Sequence, residues 1–70
     1  MPDLTWADAE EIGFRLHERF PGIDPLEDRF TELRLRVIDL PEFADNPAGS
    51  SEAALEAIQM AWLEYYQENN

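Results

Sequence analysis

Apolar residues recur along this chain with the period of a helix rather than that of a strand. Ala9, Ile12, Gly13, Leu16 and Phe20 follow one another at spacings of three and four, which gathers them into one stripe. Thr5 stands ahead of that stripe as an N-cap, with Asp8 three residues on, close to a capping box; Pro21-Gly22 stops it. A second stripe, Leu33, Val37 and Leu40, follows Thr31 as cap and ends at Pro41. The third, Leu55, Ile58, Ala61, Trp62 and Tyr65, follows Ser50 or Ser51, and Glu52 suits the positive end of the helix dipole. Met60 and Leu63 point to other sides of that helix, and a helix apolar on more than one side lies centrally in a core. The spacing predicts helices over about 6–20, 31–40 and 51–66. Trp62, Ile58, Leu16, Ile12 and Leu33 are expected to be buried together. The connector "PGIDPLEDRF" is turn-rich, and Pro25 after Asp24 suits one short helical turn. No segment alternates convincingly as a strand; a short pairing near 26–30 or 43–46 stays open. The expected fold is mainly α, a small three-helix domain over residues 1–70.

Composition narrows the classes. The chain has 70 residues, so it buries a modest fraction of its surface and its stability margin is small. Hydrophobic residues make up 44% and aromatics 11%, enough for a folded domain despite the charge. There is no cysteine, hence no disulfide and no thiolate ligand or nucleophile; this fits a reducing compartment. No apolar run approaches the roughly 20 residues of a membrane span, and the N-terminus lacks a signal pattern. The expected location is the cytoplasm.

The net charge is -11, from 16 acids against five arginines and no lysine. Residues 1–14 carry four acids and no base, residues 15–36 carry five acids and all five arginines, and residues 37–70 carry seven acids and no base. Such a field repels phosphate backbones and anionic lipid and attracts basic protein surfaces or cations. Neither nucleic acid nor membrane is therefore expected as a partner.

Candidate chemistry is sparse. His17 is the one histidine and has no partner constellation. No serine sits beside a base, and Gly13, Gly22 and Gly49 form no phosphate loop, so no enzyme activity is expected. Carboxylates are the abundant ligands. Glu52 and Glu56 are four apart on one helix, Glu64 and Glu68 repeat the spacing, and Asp8 and Glu11 are three apart. Oxygen donors suit hard cations, and Fe2+ sits low in the affinity order, so binding would be weak and hydrated; the alternative is a solvated acidic face. With Ile12 turned inward, Glu10, Glu11, Glu18 and Phe14 fall on the outer side of the first helix. Phe14 is then either a recognition anchor ringed by acids or a side chain folded under the connector.

The segments "LTWADAEEIG", "FPGIDP", "RFTEL" and "NPAGSSEAALEAIQMAWLE" resemble, in order and without gaps, the IscX family over about residues 4–64. These are small acidic proteins of the bacterial iron–sulphur cluster assembly machinery. The resemblance implies a modified winged-helix-like domain; winged helices commonly bind DNA, but the acidic surface argues against that role here. It implies an adaptor or regulator that docks on the basic patch of the cysteine desulfurase IscS, near the site used by frataxin-like proteins and in competition with them. It also implies weak iron (Fe2+) binding by surface carboxylates, with no tightly bound cofactor, and a monomer. The acids matching the family pattern are Asp8, Glu11, Glu18, Asp24, Glu32, Asp39, Glu42, Asp45, Glu52, Glu56 and Glu64. The partner face is expected to hold Asp8, Glu11, Phe14, Glu18, Glu52 and Glu56, and the metal contacts Asp8, Glu11, Glu52, Glu56 and Glu64. The chain departs from the pattern in three places. Arg34 and Arg36 replace the usual His and Trp, the aspartate run is thinned to Asp45-Asn46-Pro47, and Phe14 stands where a polar or acidic residue is typical. The alternative function is a general acidic regulator or DNA mimic that blocks basic surfaces.

Overall fold

The computed structural model describes residues 3–68; the ends of the expected 1–70 domain lie outside the described residues. The chain forms three α-helices, α1 (Ala9–Arg19), α2 (Phe30–Ile38) and α3 (Glu52–Glu68), with 3-10 turns at Pro25–Glu27 and Pro47–Gly49. Among the described residues there is no strand, and the β pairing is an isolated parallel bridge between Leu4 and Phe43. Leu4 N–H donates to Glu42 O (2.8 Å) and Ala44 N–H to Leu4 O (2.9 Å), which ties the N-terminal segment to the loop after α2. Phe43 lies within one of the two segments considered for pairing; its partner, Leu4, was not expected.

The helix starts correct the sequence reading at two of three places. Helix α1 begins at Ala9, not near residue 6, because Thr5–Asp8 forms its own turn. Asp8 Oδ2 accepts from Thr5 N–H (2.9 Å) and Thr5 Oγ1 (3.1 Å), and Asp8 N–H donates to Thr5 O (3.0 Å). The Thr5–Asp8 pair therefore closes the turn ahead of the helix, and Asp8 itself takes the N-cap position. Helix α2 begins at Phe30 with Arg29 in the cap position and no side-chain cap, so Thr31 lies inside the first turn. It ends at Ile38, two residues before the expected Leu40. At α3 the expected device operates: Ser51 Oγ accepts from Ala54 N–H at 3.1 Å. That helix then runs to Glu68, past the expected end near 66.

Trp62, Ile58, Ile12, Leu16, Leu33 and Val37 are essentially free of solvent and form one cluster with Leu4, Trp6, Leu40 and Leu55. Helices α1 and α3 make the closest crossing. A Cβ built on Gly13 would stand 2.7 Å from Trp62 N and 2.8 Å from Ala61 Cβ, so only glycine permits this approach. The expected turn in the connector is the 3-10 turn at Pro25–Glu27. Asp24 Oδ1 accepts from Leu26 N–H (3.0 Å), and Gln59 Nε2 of α3 donates to Pro25 O (3.0 Å).

Candidate partner-binding faces

Helix packing turns the acids of α1 and α3 outward, because the apolar stripes of both helices are used at their crossing. On α1, Glu11 and Glu18 bracket Arg15. Its Nη2 lies 3.9 Å from Glu11 Oε2 and its Nη1 4.0 Å from Glu18 Oε1. Phe14 neither stands free nor folds under the connector. It meets Tyr65 of α3 edge-on, with centroids 5.5 Å apart, and keeps 37% of its surface exposed. The Arg15 guanidinium lies 5.9 Å from the Phe14 ring centre. The seam between the helices thus presents an aromatic edge beside a Glu–Arg–Glu triplet.

Glu52, Glu56 and Glu64 are exposed on α3 and form no ion pair among the described residues. Met60, four residues from both Glu56 and Glu64, is 55% exposed on the same helix. The second apolar side of α3 predicted a central place in the core for this helix; instead Met60 stays in solvent, so that side of the helix is left uncovered. Asp8 differs from the other expected contacts, since one oxygen of its carboxylate holds the Thr5 turn and the residue is half-buried. No group of three or more His, Asp or Glu side chains converges to hold a metal ion among the described residues. The carboxylates Asp8, Glu11, Glu52, Glu56 and Glu64 are thus not assembled into a common shell, and a cation here would meet one or two carboxylates and complete its coordination with water.

Several other acids serve the fold. Asp45 Oδ2 accepts from Trp6 N–H (3.1 Å) and its Oδ1 from Asn46 N–H (2.7 Å), while Trp6 Nε1–H donates to Asn46 O (2.7 Å). Phe43 packs edge-on against the Trp6 ring at 4.7 Å, and Arg34 Nη2 donates to Pro47 O (2.9 Å). The Asp45-Asn46-Pro47 loop is therefore a clasp around Trp6. Asp28 is buried and takes two bonds from Arg36, to Nε (2.9 Å) and Nη2 (3.3 Å), and the same guanidinium covers the Phe20 ring at 4.7 Å. Both arginines that depart from the family pattern thus have a partner inside this chain.

A family model described as iron–sulphur cluster assembly matches residues 4–67. The chain belongs to that iron–sulphur cluster assembly family. An uncharacterized protein of Pseudomonas aeruginosa, PA3808, is 49% identical to it over 61 residues, covering 87% of this chain and 92% of the relative. Membership puts the role of the chain within iron–sulphur cluster assembly, and the match takes in α1, α2 and all of α3 but its last residue. Among the described residues, no helix of this family member is long and apolar enough to cross a membrane.

Proposed function

We propose that this iron–sulphur assembly protein is an acidic adaptor that docks on a basic patch of the pathway's cysteine desulfurase and regulates it. The observation that carries the reading is the unopposed charge of α3. Glu52, Glu56 and Glu64 are exposed, and no basic residue follows Arg36 in the sequence. Charge so displayed accelerates encounter with a basic surface more than it strengthens each contact. Glu11 and Glu18 of α1 form the second edge of the face, with the Phe14–Tyr65 seam as its apolar strip. Fe2+ binds weakly to exposed carboxylates, with Glu52 and Glu56, one helical turn apart, as the principal pair.

Surface plasmon resonance against purified desulfurase tests the partner. Glu52→Lys with Glu56→Lys is expected to slow association by about tenfold or more, and added salt to weaken wild-type binding, because the Debye length falls from about 10 Å at 0.1 M to 3 Å at 1 M. Salt-independent binding that survives the double reversal rules out the electrostatic reading. Equal capture of the desulfurase and of unrelated nucleic-acid-binding proteins favours the general acidic blocker instead.

A further inference from the structure

Among the described residues, Arg15 is the one basic residue paired with the outer acids of α1, and its contacts are unusual. At 3.9 and 4.0 Å the guanidinium is too far from Glu11 and Glu18 for hydrogen bonds. It offsets charge while leaving the acceptor sites of both carboxylates open. Those side chains are 60% and 54% exposed, against 28% for Arg15. The guanidinium lies partly against the helix surface: Nε is buried without an acceptor, and the centre of the Phe14 ring is 5.9 Å from Cζ. Positions 11, 15 and 18 follow one face of the helix, so this face reads negative, positive, negative.

We propose that Arg15 determines specificity at this face, by rejecting an unbroken row of cations and selecting a basic surface interrupted by a carboxylate or other acceptor. The inference rests on the reading that the face docks a basic protein. Its physical ground is complementarity. A partner cation gains at Glu11 and another at Glu18, about 10 Å apart along the helix axis. A third cation placed between them meets a like charge, and an acceptor there meets a donor. Like charges brought together at contact are the usual means by which interfaces refuse wrong partners. The Debye length of about 8 Å at physiological salt confines the effect to contact distance. Long-range attraction is therefore left to α3, and Arg15 acts on which basic surface is kept.

The test compares wild type, Arg15→Gln and Arg15→Lys by surface plasmon resonance against two probes, an octalysine peptide and purified cysteine desulfurase. Melting curves check that each variant is folded. Arg15→Gln is expected to bind octalysine about two- to fivefold more tightly, the range of an exposed charge contact. Toward the desulfurase it is expected to gain less or to lose affinity. Arg15→Lys restores the positive charge and is expected to return octalysine binding toward wild type, which a purely structural role would not require. Equal octalysine binding by wild type and Arg15→Gln overturns the proposal, as does an equal gain toward both probes. Failure of the wild type to bind the desulfurase would defeat the proposed function, while the octalysine arm still decides whether Arg15 rejects polycations.

Discussion

Helix α1 sets Glu11 and Glu18 around an arginine, whereas α3 sets Glu52, Glu56 and Glu64 in solvent with no ion pair among the described residues. Both faces are acidic, but they differ in what their charge can do. An unopposed row projects a field over several ångströms and steers encounter with little regard for detail. A bracketed arginine cancels much of that field at range and leaves a charge pattern that is felt only at contact. The two helices nevertheless share one packed seam, where Gly13 of α1 meets the backbone of Ala61 and Trp62. A difference in surface chemistry thus rides on a common core, and mutations can address either one separately.

The largest effects are expected where the helices are joined. Trp62→Ala removes the largest fully buried side chain and should cost about 3–5 kcal/mol, lowering the melting temperature and loosening both faces together. An unchanged melting temperature would detach Trp62 from the core. Arg36→Ala leaves the buried Asp28 carboxylate without its guanidinium. Since Arg36 is partly exposed, the expected cost in denaturant unfolding is about 2–4 kcal/mol, at or below the range for a broken buried pair. Gly13→Ala drives a methyl group into the α3 backbone and is expected to destabilise by about 1–3 kcal/mol through overpacking. A neutral result would mean that the crossing can relax.

Smaller effects separate the faces. Glu52→Lys with Glu56→Lys should slow desulfurase association more than Glu11→Lys with Glu18→Lys, because the α1 pair is already partly offset by Arg15. Equal slowing by the two double reversals would erase the distinction drawn between the helices. The smallest expected effect concerns iron. Glu52→Gln with Glu56→Gln should weaken Fe2+-induced paramagnetic broadening of nearby amide signals in NMR spectra, with little effect on melting. Broadening centred on His17 would move the binding site off α3.

The stripes of α1, α2 and α3 were legible because helical periodicity is a local property, repeated within each segment. The buried set Trp62, Ile58, Leu16, Ile12 and Leu33 followed from those stripes. The cap at Ser51 was equally legible, since its hydroxyl reaches a backbone amide only three residues away. The start of α1 was not: Thr5 and Asp8 have the spacing of a capping box, and that spacing also suits the free-standing turn they form. The bracketing of Arg15 by Glu11 and Glu18 could have been read from their helical spacing alone. The Phe14–Tyr65 contact could not, because it depends on how α1 lies across α3.

By itself the sequence determined three apolar stripes and a charge distribution with every basic residue between positions 15 and 36. It also carried ordered motifs specific enough to indicate the family. Asp8 and Asp24 close local turns with neighbours three and two residues away, but tertiary structure decided the roles of Asp28 and Asp45 and which acids face outward. Asp45 holds Trp6 across 39 positions of chain, and Asp28 reaches Arg36 from the connector into α2. Glu52, Glu56 and Glu64 stay exposed because the inner face of α3 is filled by Leu55, Ile58 and Trp62. A carboxylate has the same formula at every one of these positions. Its role depends on whether folding brings a donor to it or leaves it to water, and that is set by contacts between segments distant in the chain.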